Sequence, residues 1–449
     1  MRTRFYAIAL GLGLGLGTGG CGDFLTGPKL SDNPNRPTVA NNANLLVSAE
    51  TNIALQSEGH LARTVCIWMQ QCAGTSKQYQ ALGEYIVGDD DYIYEWQDAY
   101  TRGGLLDLRR IQHDALDEAD SAYAGVAKVL EAWLIGQTAD AWGDIPYSEA
   151  VDSTIAAPSP DPQQDVYAAL QAKLDTAIVF LATPTAPPQG EDLVYGGDVT
   201  KWTELAHTLK ARFHLHTAER VGPTAYQAAF TEASSGISAP DSSGDYLTYH
   251  SGSLTESNLW NQFVNVWAQY VSAGKFLVDL LNTAPPDPRL DDYFEENSSQ
   301  QFVGVNPGQG VASDPSELSE VRLAPEFRQP LVTYVENQLI LAEASWQIAG
   351  GGGAGNAAAQ PYLDAARTAQ GLPSKAITGI ETIMTEKYIA LFQNPEVWND
   401  YKRTCIPALT PASGTRIPAR LTYPLTERNA NPSIPNGGPQ RNWNDPNPC

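Results

Sequence analysis

The sequence is poor in basic residues. It has 28 Lys and Arg against 51 Asp and Glu over 449 residues, which gives a formal net charge of −23. A nucleic-acid partner needs a basic patch that neutralises phosphates, so this composition argues against one. The excess of acidic residues mainly favours solubility.

The sequence also lacks the short motifs of common enzyme classes. It contains no G-x-S-x-G, no H-E-x-x-H, no Walker loop and no C-x-x-C pair. His207 and His214 lie seven residues apart, but two histidines alone belong more often to a surface or a core than to a metal site. We therefore expect no catalytic residues and no enzyme, although the abundant carboxylates leave a glycosidase open as an alternative.

Calcium is the one metal that the sequence leaves open. Asp89, Asp90 and Asp91 could supply oxygen ligands, although an acidic loop is usually just solvated. We assign no cofactor on this basis, and calcium stays unassigned.

The N-terminus is predicted to be a lipoprotein signal peptide over residues 1–20. Arg2 and Arg4 precede an apolar run from Phe5 to Leu16, which is typical of a secretory leader. The run is too short to span a bilayer. Two glycines before Cys21 resemble a bacterial lipobox, in which the cysteine is diacylated and becomes the new N-terminus.

A lipid on Cys21 would be followed by a flexible tether. Residues 21–38 are polar and rich in Pro and Asn, which is typical of a linker. The alternative is ordinary secretion with Cys21 inside the leader.

Four further cysteines form an even set, as expected in an oxidising exterior. Cys66 and Cys72 would lie about 9 Å apart along a continuous helix, beyond the Cα separation of a disulfide. They can pair only if the helix ends between them. A bridge between Cys405 and Cys449 would then hold the C-terminal tail to the body, and the pairing stays open.

A helical hairpin is the strongest structural pattern in the sequence. Apolar residues recur at steps of three and four between Asp120 and Ala150, and again at steps of about four from Val166 to Leu181. Gly143 and Pro146 favour a sharp turn after the first helix. We expect the two helices to pack against each other.

Motifs along the chain resemble those of the SusD/RagB outer-membrane nutrient-binding lipoproteins. The motifs are Trp142–Ala150 (WGDIPYSEA), Lys201–Arg212, Glu336–Ala344, Glu386–Arg403 and Ile417–Asn431. His207 stands where the family usually has Asn. The resemblance implies a mostly α fold, a scaffold of tetratricopeptide-like helical hairpins with a few short strands, although no clean 34-residue repeat is visible.

The same resemblance predicts how a single domain over residues 39–449 is organised. The helical scaffold would comprise about 39–222 and 331–405. An irregular, loop-rich insert would occupy about 223–330, and a loop-rich tail 406–449.

Aromatic residues are the candidate ligand-binding groups, because a sugar ring stacks on a flat aromatic face beside polar side chains. The candidates are Tyr79, Tyr85, Tyr92 and Tyr94 in the predicted early loop, and Asn258 and Trp260 in the predicted insert. The residues to which we assign structural roles are Trp96, Trp142, Gly143, Asp144, Pro146 and Tyr147.

The resemblance also implies a function. Such a protein would sit at the cell surface as a lid on a SusC-like TonB-dependent transporter of the outer membrane, and would capture a glycan or oligosaccharide. Three alternatives remain: capture of peptides or another nutrient on the same scaffold, an assembly protein without a small ligand, and a glycosidase.

The predicted lipoprotein can be tested by mass spectrometry. We expect the mature protein from bacterial membranes to begin at Cys21 and to carry a diacyl chain, and a Cys21→Ser variant to lose that added mass. An unmodified mature protein would contradict lipidation.

Overall fold

The computed structural model describes residues 40–310, 312–437, 441–446 and 449. The predicted signal peptide, Cys21 and the tether over 21–38 lie outside the described residues.

The described chain is mostly helical, which confirms the predicted fold class. Its first helices are α1 (Asn42–Glu58), α2 (His60–Trp68), α3 (Lys77–Gly83), α4 (Ile93–Tyr100), α5 (Leu105–Asp117), α6 (Ser121–Trp142), α7 (Gln163–Leu181), α8 (Val199–His216), α9 (Ala218–Val221) and α10 (Pro223–Ala233). Its later helices are α11 (Leu259–Val266), α12 (Lys275–Leu281), α13 (Arg289–Tyr293), α14 (Tyr334–Ile348), α15 (Gly352–Ala369), α16 (Ile380–Ala390), α17 (Glu396–Thr404) and α18 (Leu425–Ala430). Within the described part of the chain, none of these helices has both the length and the hydropathy of a bilayer-spanning segment.

Short strands form two antiparallel pairs. Strands β1 (Cys72–Gly74) and β3 (Val271–Ala273) pair with Cys72 opposite Ala273. Strands β2 (Tyr246–Leu247) and β4 (Pro330–Val332) pair with Tyr246 opposite Val332. Each pair joins distant parts of the chain.

The larger helices pack in a row. In order, α5, α6, α7, α8, α10, α14 and α15 each contact the next helix of this series. The chain leaves the row after α10 and returns at α14. The predicted boundary of the insert at residue 223 is therefore too early, because Pro223 begins a helix that packs within the scaffold.

The segment from Thr75 to Trp96 is more regular than the sequence indicates. We expect a loop there, but α3 and the first residues of α4 lie within it. Tertiary packing of Tyr79 and Leu82, both buried on α3, explains how so short a helix forms.

Helix α6 is the second helix of the row and also contacts α1, α4 and α8. Its side chains are buried on nearly all sides, whereas the sequence pattern predicts one broad apolar face. Gly125 and Gly136 allow close packing, because a Cβ built at Gly125 would lie 3.0 Å from Leu181 and one at Gly136 would lie 2.3 Å from the Phe213 ring. The neighbouring helices α7 and α8 can therefore approach the α6 backbone.

The turn after α6 is held by the C-terminal part of the chain. Gly143 has φ +81°, a region that glycine adopts without strain. The Trp142 indole donates to the carbonyl of Thr422 over 3.0 Å. The Asp144 carboxylate accepts from the backbone N–H of Gln163 over 2.9 Å.

Three further residues of this region pack or bond within the protein. Trp96 is buried edge-to-face against Trp142 at 5.4 Å between ring centroids. The Tyr147 hydroxyl donates to the buried Glu131 carboxylate over 2.9 Å. Pro146 and Trp96 line the same shallow surface depression.

Two disulfides lie within the described residues. Cys66 bonds to Cys72 with a Cα separation of 5.1 Å, which is possible because α2 ends at Trp68. Cys405 bonds to Cys449 with a Cα separation of 5.3 Å and fixes the end of the chain beside α17. The tail is therefore covalently tied to the scaffold.

A buried ionic cluster joins three helices of the scaffold. The His216 imidazole lies between the carboxylates of Asp140, at 2.9 Å, and Glu396, at 2.7 Å. Burial opposes protonation, but the charges of these two carboxylates outweigh it and raise the pKa of His216 to about 10. The imidazole is therefore charged at neutral pH.

Gly136→Ala should destabilise the protein by about 1–3 kcal/mol, because its methyl group would overlap the Phe213 ring and overpack the core. The clash should exceed the gain of about 1 kcal/mol in helix propensity. Urea unfolding measures the difference. Gly353→Ala is the matched control, because nothing lies within 4 Å of its Cβ position. A Gly136→Ala variant as stable as the wild type would contradict this packing.

His216→Gln should reduce the free energy of unfolding by about 3–5 kcal/mol at pH 6, because it removes the cation that Asp140 and Glu396 share. Glu396 then keeps the longer ion pair with Arg212, at 3.8 Å. The folded pKa of about 10 exceeds the ordinary value of 6.5, so the stabilisation is complete below pH 6.5 and is lost as pH rises towards 10. The difference between the two proteins should therefore shrink from pH 6.5 to 10 in urea unfolding.

The control for this experiment is the exposed His113, whose replacement by Gln should have little effect at any pH. A stability difference that stays constant between pH 6.5 and 10 would show that His216 is not the group that titrates.

Candidate functional site

A surface groove of about 360 Å³ lies where the insert meets the start of the scaffold. We call it the aromatic groove. It is lined by Leu55, Gln56, Gly59, His60, Arg63, Tyr94, Glu95, Asp98, Leu259, Gln262, Phe263 and Trp267. These residues come from α1, α2 and the glycine between them, from α4, and from α11 and the residue that follows it.

The groove opens where α1 ends and α2 begins. Gly59 stands between the two helices, and a Cβ built there would lie 2.2 Å from the carbonyl oxygen of Leu55. Only glycine fits at this break without a backbone shift. The break directs His60 and Arg63 of α2 into the groove.

Two aromatic rings are exposed at the groove. Tyr94 is 65% exposed and Trp267 is 43% exposed. Trp267 packs against Tyr270, with 5.2 Å between ring centroids and 37° between ring planes. The groove therefore presents large aromatic surfaces to solvent, one of them supported by a neighbouring ring.

A layer of buried rings lies beneath these residues. Tyr79 packs on Phe263 at 4.9 Å, and its hydroxyl accepts a hydrogen bond from Arg63 Nε over 3.1 Å. The Arg63 guanidinium lies 4.6 Å above the Phe263 ring. Tyr92 stacks on His60 with 4.9 Å between centroids. Tyr79 and Tyr92 thus support the groove from below and are themselves buried.

The rim of the groove is polar. Glu95 lies 3.6 Å from His60 Nδ1, and Asp98 pairs with Arg102 over 3.1 Å. Burial raises the pKa of Asp98 above its ordinary value. Gln262 donates to the carbonyl of Ser257 over 2.6 Å. These groups supply donors and acceptors beside the exposed rings.

Four of the six predicted ligand residues are buried, so the assignment of Tyr79 and Tyr92 as ligand-contacting residues is corrected to packing beneath the groove. The other two lie at the start of α11. Trp260 is 0% exposed because it faces inward from α11. Asn258 caps the same helix, since its Oδ1 accepts from the backbone N–H of Trp260 over 2.9 Å and its Nδ2 donates to Phe327 O over 3.0 Å. Their assignment as ligand-contacting residues is corrected to a packing residue and a helix cap.

Tyr85 lies in a different depression of about 810 Å³, which we call the arginine groove after Arg416, Arg420 and Arg428. The Tyr85 hydroxyl accepts from the backbone N–H of Ala412 over 3.0 Å, and burial raises its pKa. Arg428 pairs with Asp89 over 2.7 Å. This groove is larger, but its described lining residues include no widely exposed aromatic ring, so the aromatic groove is the better candidate.

The three aspartates considered as calcium ligands each interact with a different group. Asp89 pairs with Arg428 over 2.7 Å, Asp90 accepts from the backbone of Thr426 over 3.3 Å, and Asp91 accepts from the backbone of Gly88 over 2.7 Å. Carboxylates used separately in this way do not form one ion site.

Among the described residues, one other group has the spacing of a metal site, namely Asp140, His216 and Glu396. Both ring nitrogens of His216 face carboxylates there. A single ion cannot bind both nitrogens of one imidazole, so the geometry fits a charged histidine rather than a metal.

A family model described as "Starch-binding associating with outer membrane" matches residues 34–424. The chain belongs to the SusD-like family. The family predicted from the sequence motifs is thus confirmed.

Solved structures share the fold of this SusD-like protein. A chitin-binding protein has a TM-score of 0.76 at 21% identity, covering 91% of this chain and 100% of its own. A chitin-binding SusD homolog from Flavobacterium johnsoniae has 0.73 at 19%, covering 90% and 97%. A SusD/RagB family protein from Bacteroides thetaiotaomicron has 0.71 at 20%, covering 88% and 95%. A comparison with curated proteins gives no significant match.

Phe263 and Trp267 of this SusD-like protein were not predicted as site residues. They follow Trp260 by three and seven residues, which is helical spacing, so a helix predicted over this stretch would have grouped all three on one side. The helix ends at Val266, and Trp267 therefore emerges at the surface.

Proposed function

We propose that this SusD-like protein is a cell-surface binding protein that captures a glycan in the aromatic groove. The exposed rings of Tyr94 and Trp267 beside a polar rim are the observation that carries the proposal. A sugar ring has an apolar C–H face that stacks on such rings, while its hydroxyl groups bond to the rim. The chitin-binding structures with the same fold make chitin oligosaccharides the first ligands to test.

The arrangement favours binding over hydrolysis. A glycosidase needs two carboxyl groups that flank the scissile bond. The rim carboxylates Glu95 and Asp98 are three residues apart on α4, so they lie on one side of the groove. Reducing-sugar assays should accordingly detect no release from any glycan that binds.

We further propose that a lipid on Cys21 anchors the protein to the outer membrane and that it delivers its ligand to a SusC-like TonB-dependent transporter. The family description, which includes association with the outer membrane, supports this placement. Co-purification from membranes with a barrel protein would test the partnership.

Trp267→Ala and Tyr94→Ala should each weaken glycan binding by about 3- to 10-fold, since a stacked aromatic contact contributes about 0.5–1.5 kcal/mol. Native gels cast with glycol chitin, starch, laminarin or xyloglucan give the measurement as reduced retardation. Tyr85→Ala is the matched control, because this tyrosine lies in the arginine groove and should leave retardation unchanged.

Equal retardation of the wild type and both groove variants would contradict the proposed site. Binding of a peptide mixture without any glycan retardation would favour a peptide ligand instead.

A further inference from the structure

A second depression of about 440 Å³ continues the aromatic groove along α1. The two depressions share three lining residues, Leu55, Leu259 and Gln262. We call the second depression the second chamber. Because the shared residues form a common border, one extended ligand could contact both.

The outer wall of the second chamber carries another exposed ring. Tyr249 is 50% exposed. The loop that follows it is held by His250, whose Nδ1 lies 3.2 Å from the carbonyl of Glu256 and whose Nε2 lies 2.9 Å from the buried Glu58 carboxylate. Ser251 also donates to the Glu256 carboxylate over 2.6 Å. Tyr249 is therefore presented by a loop with several fixed contacts.

The inner wall carries a buried polar group that lacks a partner among the described residues. The Tyr246 hydroxyl is buried and has no hydrogen-bond partner there, whereas the buried Glu50 carboxyl is hydrogen-bonded to Asp192. A group such as the Tyr246 hydroxyl is costly to bury unless a ligand or water satisfies it. Glu50 also accepts from the backbone N–H of Leu193 over 2.8 Å, which fixes its side chain.

The charges around the chamber favour a neutral ligand. Burial, followed by the charge of Asp192, raises the pKa of Glu50 to about 9, so Glu50 is uncharged at neutral pH. Asp192 lies behind the wall and Glu256 lies at its edge, whereas the Glu58 carboxylate is paired with His250 over 2.9 Å. An anionic sugar would meet these carboxylates, whereas a hydroxyl or acetamido group could bond to the wall.

We propose that the second chamber is a further sugar subsite, in which a neutral sugar residue stacks on Tyr249 and bonds to the Tyr246 hydroxyl. This inference rests on the proposed function, because it assumes that the aromatic groove holds a preceding part of the same glycan. The ligand is then a neutral oligosaccharide that is longer than the fragment filling the aromatic groove alone.

Isothermal titration of neutral oligosaccharides of two to six units tests the proposal. The probes are oligosaccharides of β-1,4-linked N-acetylglucosamine, cello-oligosaccharides and laminari-oligosaccharides. Each is titrated into the wild type and into the Tyr249→Ala, Tyr246→Phe and Trp267→Ala variants. Wild-type affinity should rise with chain length. Tyr249→Ala should bind the dimer as the wild type does but lose about 10-fold at the hexamer. Trp267→Ala should lose affinity at every length.

Tyr246→Phe removes one buried hydroxyl and keeps the ring, so it should fold normally. It should show a smaller loss than Tyr249→Ala, confined again to the longer probes.

A Tyr249→Ala variant whose affinity equals that of the wild type for oligosaccharides of every length would overturn the second subsite. An equal loss at dimer and hexamer would also overturn it, since Tyr249 would then belong to the first binding position. Oligogalacturonides are the anionic probes. If they bind as tightly as the neutral oligosaccharides, the assignment of a neutral ligand is overturned. Failure of the wild type to bind any neutral series would defeat the proposed function itself.

Discussion

The fold depends on charges buried between helices. Arg212 of α8 makes a bidentate ion pair with Glu336 of α14, at 2.8 and 2.7 Å. Arg403 of α17 pairs with Glu343, which also belongs to α14. Such pairs are worth little against apolar packing, but losing one partner leaves an uncompensated charge in the interior. The helices of the scaffold can therefore shift little without breaking several pairs at once, and the charged His216 extends this constraint to α6.

This rigid row positions the aromatic groove. Helix α11 of the insert packs against α1, and β3 of the insert pairs with β1 directly after α2. Gln71, beside β1, donates to the carbonyl of Tyr388 over 2.7 Å and so links the same region to α16. The groove thus stands on elements that are fixed from both sides, while its exposed rings lie on short segments at the surface. That arrangement is compatible with the glycan site that we propose.

Local patterns were enough to predict the hairpin of α6 and α7, the mostly helical class and the family. The hairpin follows from the periodicity of apolar residues, and the class and family follow from short motifs. The partners of the buried charges were not predictable. Glu396 follows His216 by 180 residues, and nothing in the local sequence distinguishes His216 from a surface histidine.

The candidate site shows the same limit. Tyr94 and Trp260 are both aromatic residues beside turn-forming sequence, yet the structure exposes the first and buries the second. Tertiary packing of α11 decides between them, and it exposes Trp267.

We propose that the ligand occupies the aromatic groove without remodelling the scaffold. Hydrogen exchange of the backbone amides would test this, measured with and without the glycan that retards the protein in native gels. Slower exchange should be confined to 47–63, 93–98 and 246–267, whereas protection centred on the arginine groove, or spread through α6 to α8, would contradict the account.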